Sequence, residues 1–298
     1  MVRASPLRGP PWRPPPASHP RTPRAGARIF GIVILSSSPR PPAWRYLVSD
    51  PLAGAANMAC DQALMSRARR TDEAVLRIYR WAGPTLSLGR NQTARGAYDR
   101  HRAAELDVTF VRRPTGGRAL LHHREVTYSV AAPESFDSTL HGAYTRINDM
   151  LLHALRALGV NATLAEPAGR APRPGLAPCF AEPTAGEIVV GTRKLVGSAQ
   201  WRHEGALLQH GSILLHDDQA LIGCLLVHPP PNGSTPPAAT LADALGQSPT
   251  FERVAAALVD ALRAVDPNAQ PFIPDAPFDA DCAQAQREFA SDAWTWRR

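Results

Sequence analysis

The order of strand-like and helical segments constrains the fold of this chain more than any single motif does. Apolar runs bounded by turn residues predict strands at 44–48, 74–79, 85–88, 107–112, 119–121, 126–131, 187–190, 194–199 and 206–215. Apolar residues at helical spacing predict helices at 53–68, 140–158, 219–226, 241–245, 251–265 and 283–296. The two kinds of segment do not alternate as regular β–α–β units. The sequence therefore predicts an α+β fold, a mixed β-sheet with helices packed on it.

The first 43 residues differ in composition from the rest of the chain. They are rich in proline and arginine, and such a stretch cannot bury enough apolar surface to order itself. The apolar island at 29–35 is at the minimum length of a signal-peptide core, and no cleavage motif follows it closely. We predict that residues 1–43 are a disordered extension, or one translated from a start assigned too far upstream. Residues 44–298 are predicted to be the folded domain, with a helical C-terminal part.

Charge and cysteine content narrow the class of protein. The net charge is +7, but residues 1–49 contain eight arginines and no acidic residue, which leaves −1 for the remainder. The folded part therefore has no basic stripe for nucleic acid, and no apolar run approaches the roughly 18 residues of a membrane span. The cysteines form no CxxC pair, so neither a metal site nor a disulfide framework is indicated. Free thiols are typical of a reducing cytosol, and we predict a cytoplasmic protein. The cysteines are Cys60, Cys179, Cys224 and Cys282.

Lys194 is the only lysine among 33 basic residues. Arginine is effectively always protonated, whereas the pKa of a lysine falls readily on burial, so lysine can donate or accept a proton. A chain this biased toward arginine is expected to keep a lysine where arginine cannot act, although composition alone also fits a surface position. Lys194 follows the strand-like run 187–190 and precedes Gly197-Ser198-Ala199, small residues that let a ligand approach the backbone.

Two further stretches carry residue types suited to chemistry. The loop Arg112–Arg118 contains two glycines, and its backbone N–H groups suit a carbonyl, carboxylate or phosphate oxygen, although an ordinary glycine turn has the same pattern. Cys179 follows a proline-broken loop, and an ionised cysteine is the strongest nucleophile among protein side chains at neutral pH. A buried, inert thiol is the alternative, and we expect it for Cys60, Cys224 and Cys282.

A third stretch is His210-Gly211-Ser212, which lies within a strand-like run. A histidine at this position either orients a substrate or serves a purely structural role, and the residues alone leave both open.

Taken together, six pieces of the chain resemble the lipoate–protein ligase and octanoyltransferase family, which shares a catalytic fold with biotin–protein ligase. The resemblance runs from about Trp44 to the C-terminus and rests on the order and spacing of the pieces. They are NMACDQAL (57–64), YRWAGPTLSLGRNQ (79–92), RRPTGGRALLHHREVTYSV (112–130), CF (179–180), GTRKLVGSAQ (191–200) and LLQHGSILL (207–215).

The resemblance implies one of two chemistries. Ligases of the family activate free lipoate with ATP and need no cysteine, whereas octanoyltransferases receive the acyl group on a cysteine from acyl carrier protein. This chain resembles the transferase branch, because it has Gly-Gly-Arg in the loop at 116–118 and Cys179 at the position of the transferase nucleophile. His122 matches the usual histidine of the family, and His123 departs from the aspartate that is frequent there.

The implied function is transfer of an octanoyl group from acyl carrier protein to a lysine of a lipoyl domain, in the glycine cleavage H protein or an E2 subunit. No cofactor is implied for the transferase; ATP and magnesium belong to the ligase alternative. Neutral Lys194 would take the proton of the attacking amine, and an eight-carbon tunnel is expected to be lined by Leu120, Leu121, Val196 and Ala199. The catalytic residues implied are Cys179 and Lys194, and the substrate-binding residues are Arg113, Thr115, Gly116, Gly117, Arg118, His122, Gly197, Ser198, Ala199 and His210.

Three alternatives remain open from the sequence: an ATP-dependent lipoate ligase, an amidotransferase that moves octanoyl between lipoyl domains, and a non-catalytic protein that binds acyl groups or lipoyl domains. The joint presence of Cys179 and Lys194 disfavours the last. A DNA-binding repressor of the biotin type is disfavoured as well, because residues 1–43 contain no helix-turn-helix pattern.

Overall fold

The computed structural model describes residues 41–166, 179–180, 183–229 and 236–298. Residues 1–40 of the predicted extension, which spans 1–43, lie outside the described residues. The proline-broken loop at 170–178 lies outside them entirely, and so does most of the proline-rich loop at 228–237.

The strands and helices of the described residues follow the predicted order closely. The strands are β1 (Ala43–Val48), β2 (Glu73–Tyr79), β3 (Thr85–Leu88), β4 (Thr109–Arg112), β5 (Leu120–His122), β6 (Glu125–Pro133), β7 (Thr163–Leu164), β8 (Ile188–Val190), β9 (Arg193–His203), β10 (Ala206–Leu214) and β11 (Gln270–Pro271). The helices are α1 (Gly54–Arg70), α2 (Arg100–Glu105), α3 (Leu140–Ala157), α4 (Leu221–Cys224), α5 (Leu241–Leu245), α6 (Phe251–Val265), α7 (Ala276–Phe289) and α8 (Asp292–Thr295).

The main sheet has eight strands in the order β11-β1-β2-β6-β10-β9-β8-β7. Strand β1 runs parallel to both of its neighbours, and the remaining pairs of this sheet are antiparallel. A second sheet has the order β4-β3-β5, in which β3 pairs parallel with β4 and antiparallel with β5. The predicted mixed sheet of an α+β fold is therefore confirmed.

Apolar residues cover both faces of the main sheet, as the two-residue period of a strand requires. In β2, Leu76 and Ile78 join the core formed with α3 and α6. Val75 joins a second core with α1 and Phe272. Helices α3 and α6 thus lie on one face of the sheet, and α1 lies on the other with α7 packed beside it.

The single helix predicted at 283–296 is wrong. Helix α7 begins earlier, because Asp275 caps it by accepting the N–H of Phe278, and it ends at Phe289. Ser291 caps the separate helix α8. The predicted helix at 219–226 is also too long, since only Leu221–Cys224 is α-helical.

Short elements were missed by the sequence analysis, namely α2, β7 and β11. They are too brief to show a hydrophobic period. Among the described residues, no helix has the length and apolar character needed to cross a membrane.

A substitution in α1 tests the second core. Leu64 is 0% exposed, and Leu64→Ala is expected to lower the free energy of unfolding by about 2–5 kcal/mol through lost burial and a cavity. Leu140→Ala is the matched control, because Leu140 is 45% exposed and its loss should change stability by no more than about 0.5 kcal/mol. Urea unfolding of both variants measures the difference, and equal losses would contradict this description of the core.

Candidate active site

Two adjoining cavities meet at Cys179. The inner cavity reaches between the two sheets, and buried side chains form most of its wall. The outer cavity is more open. It is lined by the loop Arg112–Arg118, called the glycine loop below, by Lys194 and by the turn before β8. Residues shared by both cavities are Gly117, Cys179, Ser198 and Ala199. A group attached to the Cys179 sulfur therefore has a buried space on one side and an accessible space on the other.

Cys179 and Lys194 form the polar centre of this junction. Lys194 lies near the start of β9 with 2% of its surface exposed, and Cys179 is half-buried. The Lys194 Nζ atom lies 3.5 Å from the Cys179 Sγ atom and donates to the Cys179 carbonyl at 3.0 Å. The N–H of Cys179 donates to the carbonyl of Ala119, which fixes the cysteine against the end of the glycine loop. The ammonium is thus placed to stabilise a thiolate.

Glu187 is a third member of this cluster that the sequence analysis did not assign. Its Oε1 atom lies 2.7 Å from the Lys194 Nζ atom, and 7% of its surface is exposed. Burial alone lowers the pKa of Lys194, but the adjacent Cys179 and the Glu187 carboxylate outweigh burial. The pKa of Lys194 therefore lies above its ordinary value. At rest Lys194 is therefore an ammonium group.

Arg113 shapes the glycine loop. Its guanidinium, which is 5% exposed, donates to the carbonyls of Gly116 and Arg118 and to the backbone and side chain of Ser87. Gly117 has a φ of +94°, a left-handed conformation that favours glycine, and a Cβ there would lie 2.7 Å from the guanidinium. Burial lowers the pKa of Arg113. Arg113 also reaches the inner cavity, but its hydrogen bonds are internal to the fold.

The small residues of β9 lie opposite the histidine-containing stretch of β10. Ser198 pairs with Gly211, and Ala199 pairs with His210. A Cβ on Gly211 would lie 2.6 Å from the Gly197 carbonyl oxygen and 2.8 Å from the Ser198 Oγ atom. This close approach between strands gives the run of small residues a packing reason, and the same residues line the cavities.

Of the four residues predicted to line an acyl tunnel, two line the inner cavity. Leu120 and Ala199 line the inner cavity. Leu121 and Val196 do not, because alternate residues of a strand point to opposite faces, and these two join hydrophobic cores. The wall is completed by residues that the sequence analysis did not name: Met58, Tyr79, Trp81 and Thr127.

His122 contributes to the inner cavity in a fixed orientation. Its Nδ1 atom lies 2.7 Å from the Glu125 carboxylate, and its Nε2 atom lies 2.8 Å from the Ser87 hydroxyl. The ring stacks on Trp81 with centroids 3.8 Å apart. Its neighbour His123 instead faces away and pairs with Asp218 at 3.1 Å.

His210 is held between Asp61 and Thr115. Its Nδ1 atom lies 3.1 Å from an Asp61 oxygen, and its Nε2 atom lies 2.6 Å from the Thr115 hydroxyl. Burial lowers the pKa of His210, although the bond to Asp61 opposes this effect. A neutral ring that donates from Nδ1 to the carboxylate accepts the Thr115 hydroxyl at Nε2. His210 lines the inner cavity, whereas Thr115 is a buried member of the glycine loop and lines neither of the two cavities.

Comparisons with known proteins point to one family. Residues 53–263 match the model of the lipoyl protein ligase A/B catalytic domain. Octanoyltransferase LipM of Kyrpidia tusciae is 36% identical over 271 residues, which cover 86% of this chain and 99% of that protein. The chain belongs to the lipoyl protein ligase A/B family. Octanoyltransferase LipM of Bacillus subtilis is 37% identical over 195 residues, covering 62% of this chain and 70% of that protein. The predicted family is confirmed, and so is the predicted class of enzyme, an octanoyltransferase.

Solved structures show the fold of this family. A putative lipoate protein ligase from T. acidophilum with bound lipoic acid has a TM-score of 0.69 at 21% identity, covering 85% of this chain and 99% of that chain. Lipoate-protein ligase A bound with ATP has the same TM-score and identity, covering 85% of this chain and 98% of that chain. The predicted lipoate ligase-like catalytic fold is therefore confirmed.

One feature of the sequence indicates a buried ion pair in this lipoyl ligase fold that the sequence analysis did not identify. Arg77 stands in the apolar strand run 74–79, and an arginine that points into a core needs a buried partner. That partner is Asp61 on α1, 2.9 Å away, and neither side chain is exposed. Burial raises the pKa of Asp61, but the hydrogen bond from His210 and the charge of Arg77 outweigh burial and lower this pKa.

The pair makes stability depend on pH. The lowered pKa of Asp61 stabilises the folded state above pH 3.8, its ordinary value, and this stabilisation is lost as the pH falls through the folded-state pKa. Asp61→Asn should lower the free energy of unfolding by about 3–5 kcal/mol at pH 7, because Arg77 then lacks its counter-charge.

The difference between wild type and Asp61→Asn should shrink in urea unfolding below pH 3.8. Glu105→Gln is the control, since Glu105 forms an exposed pair with Arg102 and its loss should cost no more than about 1 kcal/mol. A difference that stays constant with pH would contradict the assignment.

Proposed function

We propose that this chain transfers an octanoyl group from octanoyl-acyl carrier protein to a lysine of a lipoyl domain, through a thioester on Cys179. The observation that carries the proposal is the position of the Cys179 sulfur, 3.5 Å from the Lys194 Nζ atom and at the junction of a buried cavity and an open one. The names of the relatives support octanoyl transfer. Lipoyl domains of the glycine cleavage H protein or of E2 subunits are the proposed acceptors.

The inner cavity is the proposed site of the acyl chain. Met58, Trp81 and Leu120 supply apolar surface, and the small residues Gly197, Ser198 and Ala199 leave room beside the sulfur. The outer cavity is open to solvent and admits the arm of the carrier or the acceptor lysine. Gly116 and Arg118 lie on its rim.

In the first half-reaction, the Cys179 thiolate attacks the carbonyl carbon of the octanoyl thioester. A bond forms between Sγ and that carbon, the bond to the carrier sulfur breaks, and the electron pair leaves with the carrier. Lys194 donates a proton to the departing sulfur. Lys194 and the backbone N–H groups of the glycine loop are the proposed donors to the developing oxyanion.

In the second half-reaction, the acceptor lysine attacks the octanoyl-Cys179 thioester as a free amine. A C–N bond forms, the C–S bond breaks, and the electron pair returns to the Cys179 sulfur. The surplus proton of the attacking nitrogen passes to Lys194, which is neutral once it has protonated the carrier. Arginine could not alternate in this way, because it does not give up its proton at neutral pH.

No nucleotide, metal or other cofactor is part of the proposal. One thioester replaces another in the first step, so the donor arrives already activated. This property distinguishes the proposed transferase from an ATP-dependent ligase.

Removal of the nucleophile tests the thioester. Cys179→Ala should abolish the octanoyl adduct, because Cys179 is the cysteine that the described residues place where the two cavities join. Intact-protein mass spectrometry with octanoyl-acyl carrier protein and no ATP measures the adduct, and hydroxylamine should release it.

The matched control for this test is Cys224→Ala. The prediction that Cys224 is buried is wrong, because it ends the short helix α4 as an exposed thiol that contacts neither cavity. This variant should retain the adduct. An adduct that persists in Cys179→Ala, or one that requires ATP, would overturn the proposal. Replacing the carrier with an octanoylated lipoyl domain distinguishes an amidotransferase.

Replacement of the lysine tests proton transfer. Lys194→Arg keeps the positive charge but cannot accept a proton, so turnover should fall by about 100-fold or more while the fold is retained. Octanoyl transfer to a lipoyl domain and circular dichroism measure the two effects. Turnover close to wild type would contradict a proton-transfer role for Lys194.

A further inference from the structure

Glu187 occupies a fixed position beneath Lys194. Its Oε2 atom accepts the backbone N–H of Thr184 at 2.8 Å, and its own N–H donates to the Thr184 carbonyl at 3.1 Å. The Glu187 carbonyl in turn accepts the N–H of Ala165 at 2.7 Å. The backbone and one carboxylate oxygen are therefore held by the fold. The other oxygen, Oε1, is directed at the Lys194 Nζ atom 2.7 Å away.

The contacts of Lys194 account for all three hydrogens of its ammonium group. One N–H is directed at Glu187, one at the carbonyl of Cys179, and one at the Cys179 Sγ atom. A buried ammonium without a counter-charge loses its proton readily. Within the described residues, Glu187 is the carboxylate that pairs with Lys194.

We infer that Glu187 is a positioning residue of this reaction, which keeps Lys194 in the ammonium form and directs one of its hydrogens at the sulfur of Cys179. The inference rests on the proposed transfer through Cys179 and adds a residue to it. Glu187 forms no bond to the acyl group. It acts through Lys194 in the first half-reaction, where the proton on Nζ passes to the carrier sulfur as the C–S bond to the carrier breaks.

Other titratable and charged groups near Lys194 do not replace Glu187. Tyr144 faces the pair from α3, and burial raises the pKa of its hydroxyl, which keeps it neutral. Tyr128 faces it from β6, and burial raises the pKa of that hydroxyl as well. Arg118 lines the same cavity and is a cation, so it disfavours the ammonium.

Replacement of Glu187 should slow the first half-reaction but not the second. Glu187→Gln retains a hydrogen-bond acceptor but removes the charge, so the pKa of Lys194 should fall. An ammonium group loses its proton as the pH rises through its pKa. Lys194 should therefore become neutral at a lower pH in the variant than in wild type. Formation of the octanoyl enzyme should slow on the alkaline side. The second half-reaction needs the neutral amine, and it should not slow.

The experiment measures each half-reaction separately in the full chain. Rapid-quench mass spectrometry follows octanoyl-Cys179 formation from octanoyl-acyl carrier protein between pH 7 and pH 10. The isolated octanoyl enzyme is then mixed with a lipoyl domain to follow transfer. In the alkaline limb, the acylation rate of Glu187→Gln should be about tenfold or more below that of wild type at the same pH. Transfer from the preformed octanoyl enzyme should be equal to wild type or faster.

Two further variants distinguish positioning from structural damage. Glu187→Asp keeps the charge on a shorter side chain, so it should lower the rate but restore the alkaline limb of the pH profile. Glu73→Gln removes a partly buried carboxylate that pairs with Arg45 and Arg67 far along the sheet, and it should leave both profiles unchanged. Thermal unfolding of each variant records any loss of fold.

The outcomes separate this inference from the proposed function. An octanoyl adduct on wild type, together with a wild-type acylation profile in Glu187→Gln, would overturn the role of Glu187 alone. Equal losses in both half-reactions, with the same pH dependence as wild type and without rescue by Glu187→Asp, would overturn it as well. No adduct on wild type would overturn the inference together with the proposed function.

Discussion

The ion pair between Asp61 and Arg77 connects most of the elements that surround the site. Asp61 lies on α1 and Arg77 on β2, and the carboxylate also accepts hydrogen bonds from Ser129 on β6 and from the Tyr79 hydroxyl. His210 on β10 uses the same carboxylate. Because a buried charge must be paired, each of these elements is fixed relative to the others. Helix α1 also places Met58, which forms part of the inner cavity wall.

A second group of charges lies at the other side of the inner cavity. Glu187 and Lys194 are both nearly buried, and they meet Cys179 where the two cavities join. The two polar centres differ in what they do. The first holds strands and a helix in place, while the second presents an ammonium group to a sulfur atom. Between them lies a space with mostly apolar walls, which suits a hydrocarbon chain.

The sequence predicted much of the fold, because long amphipathic segments such as α3 and α6 have a clear period. It failed where the cause is a cap, as at Asp275, or where the element is a single short turn. At the site, the rarity of lysine drew attention to Lys194, and the family resemblance supplied a role for Cys179. Glu187 could not be identified in this way, since a glutamate at the edge of a strand looks like any solvated residue. The role proposed for Glu187 depends on its hydrogen bond with Lys194, seven residues further along the chain, and only the folded structure reveals that bond.

The meeting of the two cavities at one sulfur atom has a kinetic consequence. If the acyl chain fills the inner cavity, the outer cavity is the remaining route to Cys179 in the described part of the chain. Donor and acceptor must then use that route one after the other. Such an enzyme shows double-displacement kinetics, with parallel lines in double-reciprocal plots. Each protein partner, at high concentration, would obstruct the binding of the other.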